Sequence, residues 1–296
     1  MDSWNILKLL EWSTQYFQSK GIESPRLDAE VLLAQNLSLS RVQLYMQFDR
    51  PLTELELQNF KALLKRRSDR EPLAYILGKK EFYSMEFKVS PDVLIPRPET
   101  ELLVEKAIKH FETSSALPHR FLDIGTGSGC ISITLAKHFP HAEVTTLDIS
   151  EKALQIAQQN AQKHQLETRI EFLQLDFMEA DSRKNLTGAF DLIISNPPYV
   201  AQKAIAQLAP ELQFEPLGAL SGGEEGLDFY QELIPWTYSH LKPEGLALFE
   251  IGFDQAESIE KLATKAGFQK VNILKDYAGH PRMAFLQISK DPTTHG

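Results

Sequence analysis

The stretch Leu122-Asp123-Ile124-Gly125-Thr126-Gly127-Ser128-Gly129 decides the fold of this 296-residue chain. An apolar run over residues 121–124 indicates a buried strand, and the glycines lead from it into a helix predicted over 130–138. Glycine lets the backbone turn sharply and approach a ligand, and a helix N-terminus offers unpaired N–H groups. The loop alone is weak evidence, because dinucleotide-binding folds use a similar device with the spacing G-x-G-x-x-G.

Two further strand ends carry groups that suit a nucleoside. Asp148 ends the second predicted strand, and its carboxylate can accept hydrogen bonds from both hydroxyls of a ribose. The alternative is that Asp148 only favours the start of the helix predicted from Ser150. The third strand ends in Asp176-Phe177, which suits an adenine through a hydrogen bond and stacking. Over about residues 95–290 this arrangement resembles the S-adenosylmethionine-dependent methyltransferases of the seven-strand Rossmann-like class.

The pattern of strands and helices predicts an α/β fold with a mostly parallel sheet covered on both faces. Strands are predicted over 121–124, 144–147, 170–175, 190–195, 246–251, 270–274 and 283–288. Helices are predicted over 99–111, 130–138, 150–164, 228–241 and 255–266. A short connection joins the last two strands, so we expect them to form an antiparallel pair at the end of the sheet.

The N-terminal part reads as a small all-helical domain. Ser24-Pro25 is typical of an N-cap followed by proline in the first helical turn, and Thr53 with Glu56 forms a capping box. We predict a helical bundle over 1–78 that docks the substrate, a hairpin connector over 79–95 and a methyltransferase domain over 96–290.

The fourth predicted strand runs into Asn196-Pro197-Pro198-Tyr199. Two prolines fix two φ angles and remove two donors, so the turn is rigid and presents acceptors, the Asn196 side-chain oxygen and the Pro197 carbonyl. Two such acceptors can hold both hydrogens of a planar NH₂ group whose lone pair is delocalised. The motif therefore predicts N-methylation of a planar amine or amide, without distinguishing adenine from glutamine. The plain alternative is a proline turn that ends a strand.

Other segments resemble the HemK/PrmC family of protein-glutamine methyltransferases. In chain order they are Glu71–Gly78, Phe82-Tyr83, Val93–Glu101, Phe214-Glu215-Pro216, Ala219-Leu220, Gly222–Tyr230 and Glu250-Ile251-Gly252. The resemblance implies methylation of the glutamine side chain in the Gly-Gly-Gln motif of class I peptide chain release factors, with S-adenosyl-L-methionine as cofactor.

The resemblance also implies the roles of individual residues. It gives Gly125, Thr126, Gly127, Ser128, Gly129, Asp148 and Phe177 to the cofactor. Asn196 is shared between cofactor and substrate, and Pro197, Pro198 and Tyr199 hold the glutamine, so Asn196, Pro197 and Tyr199 are the predicted catalytic residues. Two positions depart from the family: Phe177 replaces a tryptophan of some members, and Ser84 replaces a glycine of many.

Several alternatives stay open at this point. A related glutamine methyltransferase that acts on a large-subunit ribosomal protein shares the tetrapeptide, and so does an adenine-N6 methyltransferase of nucleic acids. A nicotinamide oxidoreductase would use the glycine loop but not the tetrapeptide. The intact Asn196 and glycine loop count against a non-catalytic binding protein that keeps only the fold. Arg97 and Glu99 either form a local ion pair ahead of a helix or line the substrate channel.

Charge and composition narrow these classes. Residues 1–85 carry 12 basic and 11 acidic side chains, whereas residues 86–296 carry 19 basic and 29 acidic ones, a balance of −10 that disfavours a nucleic-acid substrate. The one dense basic cluster, Lys65-Arg66-Arg67 with Arg70, either meets an acidic partner or is the solvated end of a helix.

Cysteine, histidine and apolar content bear on cofactor and location. The single cysteine, Cys130, allows no internal disulfide and is expected to pack rather than react, and the eight histidines lack the spacing of a metal site. We find no apolar run long enough for a membrane span and no signal peptide. We therefore expect a cytoplasmic monomer that binds no metal, nucleic acid or membrane.

Overall fold

Apolar side chains at helical spacing build the N-terminal part, and the computed structural model describes residues 4–113 and 119–288 of the chain. Its helices are α1 (Ile6–Ser19), α2 (Pro25–Leu37), α3 (Arg41–Met46), α4 (Glu54–Ser68) and α5 (Leu73–Leu77). The predicted capping box is confirmed, since Thr53 Oγ1 accepts from the Glu56 amide and Glu56 accepts from the Thr53 amide. Ser24 is the N-cap of α2 and Pro25 lies in its first turn, as predicted, although the Ser24 side chain makes no cap hydrogen bond.

A two-stranded hairpin follows, formed by β1 (Lys79–Phe82) and β2 (Met85–Lys88), as predicted. Tyr83 and Ser84 make the turn with φ of 50° and 57°. Positive φ at both central residues is the conformation that favours glycine in a tight hairpin. This geometry explains why glycine suits the position of Ser84.

The rest of the chain forms the predicted seven-stranded sheet, in the order β5-β4-β3-β6-β7-β9-β8. The strands are β3 (Arg120–Ile124), β4 (Glu143–Asp148), β5 (Ile170–Gln174), β6 (Phe190–Ser195), β7 (Leu241–Glu250), β8 (Lys270–Lys275) and β9 (Pro281–Gln287). The first five strands pair in parallel, and β9 runs antiparallel to both β7 and β8. The antiparallel pair at the end of the sheet is therefore confirmed.

Helices lie before and between these strands. The longer ones are α6 (Pro98–Glu112), α7 (Cys130–His138), α8 (Glu151–Lys163), α12 (Asp228–His240) and α13 (Ala256–Ala266), close to the predicted bounds. The short ones, which the sequence did not indicate, are α9 (Ala180–Arg183), α10 (Gln202–Ile205), α11 (Leu217–Leu220) and a 3₁₀ turn, Pro210–Phe214. β7 begins five residues earlier than predicted. The prediction relied on a run of apolar residues, and Pro243 and Gly245 interrupt that run in the first half of the strand.

Successive strand residues face opposite sides of the sheet and so feed two separate cores. Phe121 packs in one core with residues of α6 and α7, and Leu122 packs in the other with residues of α12 and α13. A third core lies within the helical N-terminal part. The sheet is thus buried on both faces, and its edges at the strand ends are left for binding.

The chain divides into two compact units. The helical unit takes in the described residues up to Lys79 together with Ala209–Phe214. The catalytic unit takes in Lys80–Leu208 and the described residues from Glu215 onward, which include all of the hairpin except Lys79. A short piece that follows the tetrapeptide in sequence thus belongs to the helical unit, and residues 289–290 of the predicted domain lie outside the described residues.

Candidate active site

A cavity of about 460 Å³ opens at the carboxyl ends of the central strands of the catalytic unit. Ligands of open α/β sheets bind at this edge. We call its two walls the glycine side (Gly125–Ser128 with Asp148) and the tetrapeptide side (Asn196-Pro197-Pro198). The structure therefore brings together both motifs that the sequence analysis singled out.

The glycine side is held by hydrogen bonds to the neighbouring strand. The amides of Gly125 and Thr126 both donate to the Leu147 carbonyl at 2.9 Å. The Gly127 amide donates to Asp148 Oδ2 at 2.9 Å, and Asp148 Oδ1 accepts from the Ser150 amide at the same distance. Asp148 thus fixes the loop from the adjacent strand end while it lines the cavity.

Glycines on this side face open space. A Cβ added to Gly125 or Gly127 would meet no atom within 4 Å, and both residues have positive φ, which glycine adopts without strain. Gly129, by contrast, does not line the cavity: it begins α7 at φ 81°, and an added Cβ would lie 2.9 Å from Ile133. Its role is to turn the chain into the helix.

Asp123 lies beneath the loop. Its Oδ2 accepts from Thr126 and Thr146, whereas its Oδ1 is buried and has no hydrogen-bond partner among the described groups. Burial raises the pKa of this carboxyl to about 6. A buried acceptor without a partner beside an open glycine cradle fits a cationic donor such as the ammonium group of S-adenosylmethionine. The residues present therefore fit this cofactor.

Asp148 does not cap α8. Ser150 is the N-cap and accepts from the Ala153 amide at 3.2 Å, so Asp148 keeps its place at the cavity wall. Burial raises the pKa of Asp148 even though backbone amides donate to it. The geometry thus leaves the ribose role open to Asp148, and that role stays a prediction.

Phe177 forms part of the cavity wall but is 3% exposed. Its ring lies 5.6 Å from Phe229 at 27° and 5.2 Å from Trp236 at 86°, with the Arg183 guanidinium 5.1 Å away. These neighbours fix the plane of the ring. Phe229 lines the same cavity and was missed as a site residue, because its sequence position reads only as the start of a helix.

On the tetrapeptide side, two buried side chains support the motif: Thr100, which also lines the cavity, and Glu250, which does not. Asn196 Nδ2 donates to Thr100 Oγ1 at 3.0 Å, and the Tyr199 hydroxyl donates to Glu250 at 3.2 Å. Burial beside Glu250 raises the pKa of Tyr199, so its hydroxyl keeps its proton. Tyr199 itself does not line the cavity in the described structure, and its contact with substrate stays a prediction.

A second clamp holds the end of the motif. The Gln255 side-chain amide donates to the carbonyls of Tyr199 and Gly226, at 3.0 and 2.9 Å. Its oxygen accepts from the Gly252 amide at 2.8 Å. Thr100, Glu250 and Gln255 were not predicted as supports from the sequence, although the first two lie in segments that resemble the family.

Arg97 lines the cavity and pairs with Glu215 at 2.5 Å, not with Glu99. Glu215 is buried and also accepts from the Ile95 amide at 3.3 Å. The interpretation of a local Arg97–Glu99 ion pair is therefore wrong, and the proline-flanked segment 95–98 is tied to the chain beyond the tetrapeptide.

Cys130 is buried at the start of α7, and burial raises the pKa of its thiol to about 12. A thiol of that pKa is not a nucleophile at neutral pH. Within residues 4–113 and 119–288, no three acidic, histidine or cysteine side chains are placed to hold a metal ion. No helix in the described ranges has both the length and the apolar character needed to cross a membrane.

This fold and site define an S-adenosylmethionine-dependent methyltransferase. The PrmC N-terminal domain matches residues 8–78, and the methyltransferase small domain matches residues 99–215. The release factor glutamine methyltransferase of Geobacter sulfurreducens is 42% identical over 90% of each chain. That of Chlorobaculum tepidum is 40% identical over 93% of this chain and 94% of its own. The chain belongs to the family of release factor glutamine methyltransferases.

Solved structures agree with the fold. The hMettl16 catalytic domain, in complex with the MAT2A 3′UTR hairpin 6, matches with a TM-score of 0.57 at 16% identity, over 77% of this chain and 83% of its own. A methyltransferase from Pyrococcus furiosus matches with a TM-score of 0.50 at 19% identity, over 77% of this chain and 97% of its own. At such identity the likeness concerns architecture alone.

Proposed function

We propose that this chain methylates the side-chain amide nitrogen of the glutamine in the Gly-Gly-Gln motif of class I peptide chain release factors. The observation that carries the proposal is that Asn196 and Pro197 line the same cavity as the glycine loop. The curated relatives, named release factor glutamine methyltransferases and similar over nearly the whole chain, support the choice of substrate.

The residues on the tetrapeptide side suit a planar amide. The Asn196 side-chain oxygen and the Pro197 carbonyl accept the two N–H bonds of the glutamine and orient its nitrogen. Orientation of this kind contributes roughly 7–11 kcal/mol to lowering a barrier. S-adenosylmethionine, when bound, supplies a methyl group on a sulfonium sulfur, so that a C–N bond replaces a C–S bond and one amide proton is released.

The glycine side and Asp148 would hold the cofactor. Asp123 Oδ1 and the open loop suit the amino-acid part of the cofactor. Asp148 suits its ribose, and Phe177 suits its adenine. We expect the reaction in the cytoplasm, where release factors act.

The test is incubation of the full chain with labelled S-adenosylmethionine and a mixture of release factor, large-subunit ribosomal protein and DNA. The proposal expects label on the release factor. Label on the ribosomal protein or on DNA alone would overturn it and would favour one of the related methyltransferases.

We further propose that the helical unit docks the release factor, because the tetrapeptide reads only an amide and specificity needs contacts farther away. The basic cluster does not support this docking by charge. Arg66 pairs with Glu71, buried Arg67 pairs with Asp28 and Glu211, and Arg70 pairs with Glu211. The charge of the cluster is thus largely neutralised within the helical unit itself.

Exposed apolar side chains support docking better. Those of the helical unit include Trp4, Trp12, Val42, Tyr45, Met46 and Leu55. Val42 and Met46 lie on α3 and are 68% and 78% exposed. Several large apolar side chains that stay exposed to water within one unit are typical of a surface that another protein covers.

A matched pair of variants tests the docking surface. Val42→Glu with Met46→Glu should lower kcat/KM on the whole release factor about 10-fold or more and leave a short Gly-Gly-Gln peptide unaffected. Gln58→Glu with Asn59→Glu adds the same charge at exposed polar positions of α4 and should change neither. Equal losses on protein and peptide, or an equal loss in the control, would contradict docking by α3.

A further inference from the structure

Two buried side chains connect behind the tetrapeptide. Thr100, in the first turn of α6, is 2% exposed, and Glu250, at the end of β7, is 1% exposed. Thr100 Oγ1 lies 2.6 Å from Glu250 Oε2 and 3.0 Å from Asn196 Nδ2. The other oxygen of Glu250 lies 3.2 Å from the Tyr199 hydroxyl. One carboxylate is therefore hydrogen-bonded to Tyr199 directly and to Asn196 through Thr100. We call the hydrogen bonds from Asn196 through Thr100 to Glu250 the relay.

The number of available hydrogens fixes the direction in which these hydrogen bonds are donated. An ionised carboxylate only accepts, so the single hydroxyl hydrogen of Thr100 points to Glu250. Thr100 can then only accept from Asn196, which must turn its NH₂ group toward Thr100. The side-chain oxygen of Asn196 is left as the atom that faces a ligand.

The direction matters for the acceptor. A glutamine amide brings two N–H donors, which an Asn196 oxygen can accept and an Asn196 NH₂ group cannot. A reversed Asn196 would place donor against donor in a buried site, and each buried donor without a partner is costly. The rotamer of Asn196 therefore decides whether the acceptor amide is held or repelled.

We propose that Thr100 and Glu250 are positioning residues that fix the Asn196 amide with its oxygen toward the substrate. The inference rests on the proposed function and adds to it the residues that make the site selective for an NH₂ donor over a carboxylate. A substrate glutamate, which only accepts, would meet an acceptor backed by a buried negative charge.

Protonation of Glu250 would reverse the direction of these hydrogen bonds. A protonated carboxyl can donate to Thr100, which then donates to Asn196 and turns its NH₂ group toward the substrate. Burial raises the pKa of Glu250 above its usual range. The active ionised form is therefore present above that raised pKa and is lost as pH falls through it. The other titratable or charged groups that act on Glu250 are Tyr199, Tyr230, Cys130, Arg282 and Glu99.

The test compares Thr100→Val with Thr100→Ser in the full chain. Valine keeps the shape but removes the hydroxyl, so turnover on the release factor should fall about 100-fold, as for a misplaced catalytic group. Cofactor affinity should stay within about 3-fold, and serine, which keeps the hydroxyl, should retain turnover within about 3-fold. Near-normal turnover in Thr100→Val, or equal loss in both variants, would overturn the relay.

The pH profile separates positioning from mere packing. Wild-type turnover should fall on the acid side with the pKa of Glu250, and Glu250→Gln should be slow at every pH and lack that acid limb. A variant that only loosened the structure would lower the whole profile without removing the limb, and this result would count against the relay.

A measurement without turnover keeps the two proposals apart. In a ¹H–¹⁵N spectrum, the side-chain NH₂ of Asn196, assigned by its loss in Asn196→Ala, should exchange slowly in the wild type and fast in Thr100→Val. Equal exchange in both would overturn the relay even in an active enzyme. A wild-type chain that leaves the release factor unmethylated would overturn the proposed function, while the exchange data still decide the relay.

Discussion

The two walls of the cavity are built in different ways. On the glycine side, backbone amides of the loop donate to groups at the end of the next strand, as from the Gly127 amide to the Asp148 carboxylate, 21 residues apart. On the tetrapeptide side, the contacts join side chains from distant parts of the chain, with Asn196 and Thr100 96 residues apart and Thr100 and Glu250 150 apart. Both walls need the sheet, but the contacts of the glycine side join strands that follow one another in the chain, whereas those of the tetrapeptide side join elements far apart in it.

The difference has a chemical reason. A cofactor that never changes can be held by backbone amides and a few fixed acids, which tolerate many surrounding side chains. An acceptor amide must be distinguished from other planar groups, which demands side chains of fixed orientation. Buried hydroxyl and carboxyl groups supply that orientation, and they tie the tetrapeptide to α6 and β7.

The largest effect should come from Asn196→Ala on the tetrapeptide side. Loss of one aimed polar group typically lowers turnover at least ~100-fold. Cofactor affinity should stay within about tenfold, since the glycine side is intact. The measurement combines single-turnover kinetics with calorimetric titration. Near-normal turnover would show that Asn196 is not the acceptor for the glutamine amide.

On the glycine side, Asp123→Asn should change the pH dependence of stability. The folded pKa of Asp123 is about 6 and its usual value is 3.8, so the folded protein favours the protonated form. The associated stability is fully present below the usual pKa and is lost as pH rises through about 6. Because asparagine does not titrate, the variant does not lose this stability as pH rises.

Urea denaturation without cofactor measures the effect of Asp123→Asn. The free energy of unfolding of the variant relative to wild type should rise by about 2 kcal/mol between about pH 4.5 and pH 8. A constant difference across that range would show that Asp123 is not the buried acid that the structure describes.

Asp148→Ala should act mainly on cofactor binding. The variant loses the carboxylate that we assign to the ribose and the hydrogen bond that holds the Gly127 amide. Hydrogen bonds to a charged group contribute about 1.5–3 kcal/mol each, so affinity should fall roughly 30-fold, with a smaller change in turnover at saturating cofactor. Unchanged affinity in a calorimetric titration would refute the ribose assignment.

The smallest effect is expected from Cys130→Ala. Cys130 lines the cavity, but its thiol is buried, with a pKa raised to about 12. Turnover should therefore stay within about 3-fold of wild type, since a protonated buried thiol only packs. A large loss of turnover with normal folding would assign Cys130 a chemical role and break the contrast between the two walls.

Much of the fold was predictable because hydrophobic periodicity and strand-to-helix turns are local signals. The strands beginning at Phe190 and Lys270, the capping box at Thr53 and the antiparallel end of the sheet all follow from short stretches. The start of β7 was missed because Pro243 and Gly245 interrupt its pattern. Local propensity does not reveal that pairing with neighbouring strands can keep a proline and a glycine within a strand.

The site divides in the same way. The glycine loop, Asp148 and the tetrapeptide could be found from motif spacing, and all of them meet at the cavity except Gly129 and Tyr199. Thr100, Gln255 and Phe229 could not, because each reads as an ordinary helical or loop residue until the sheet brings it to the strand ends. Arg97 was ambiguous because its partner, Glu215, lies 118 residues away.

The most direct test of the central claim maps the methyl group in the product. A release factor treated with the full chain and S-adenosylmethionine is digested and sequenced by mass spectrometry, beside matched substrates in which the glutamine of the Gly-Gly-Gln motif is replaced by glutamate or asparagine. The account predicts one methyl group on that glutamine and none on either replacement. A methyl group elsewhere in the release factor, or equal methylation of the glutamate substrate, would contradict it.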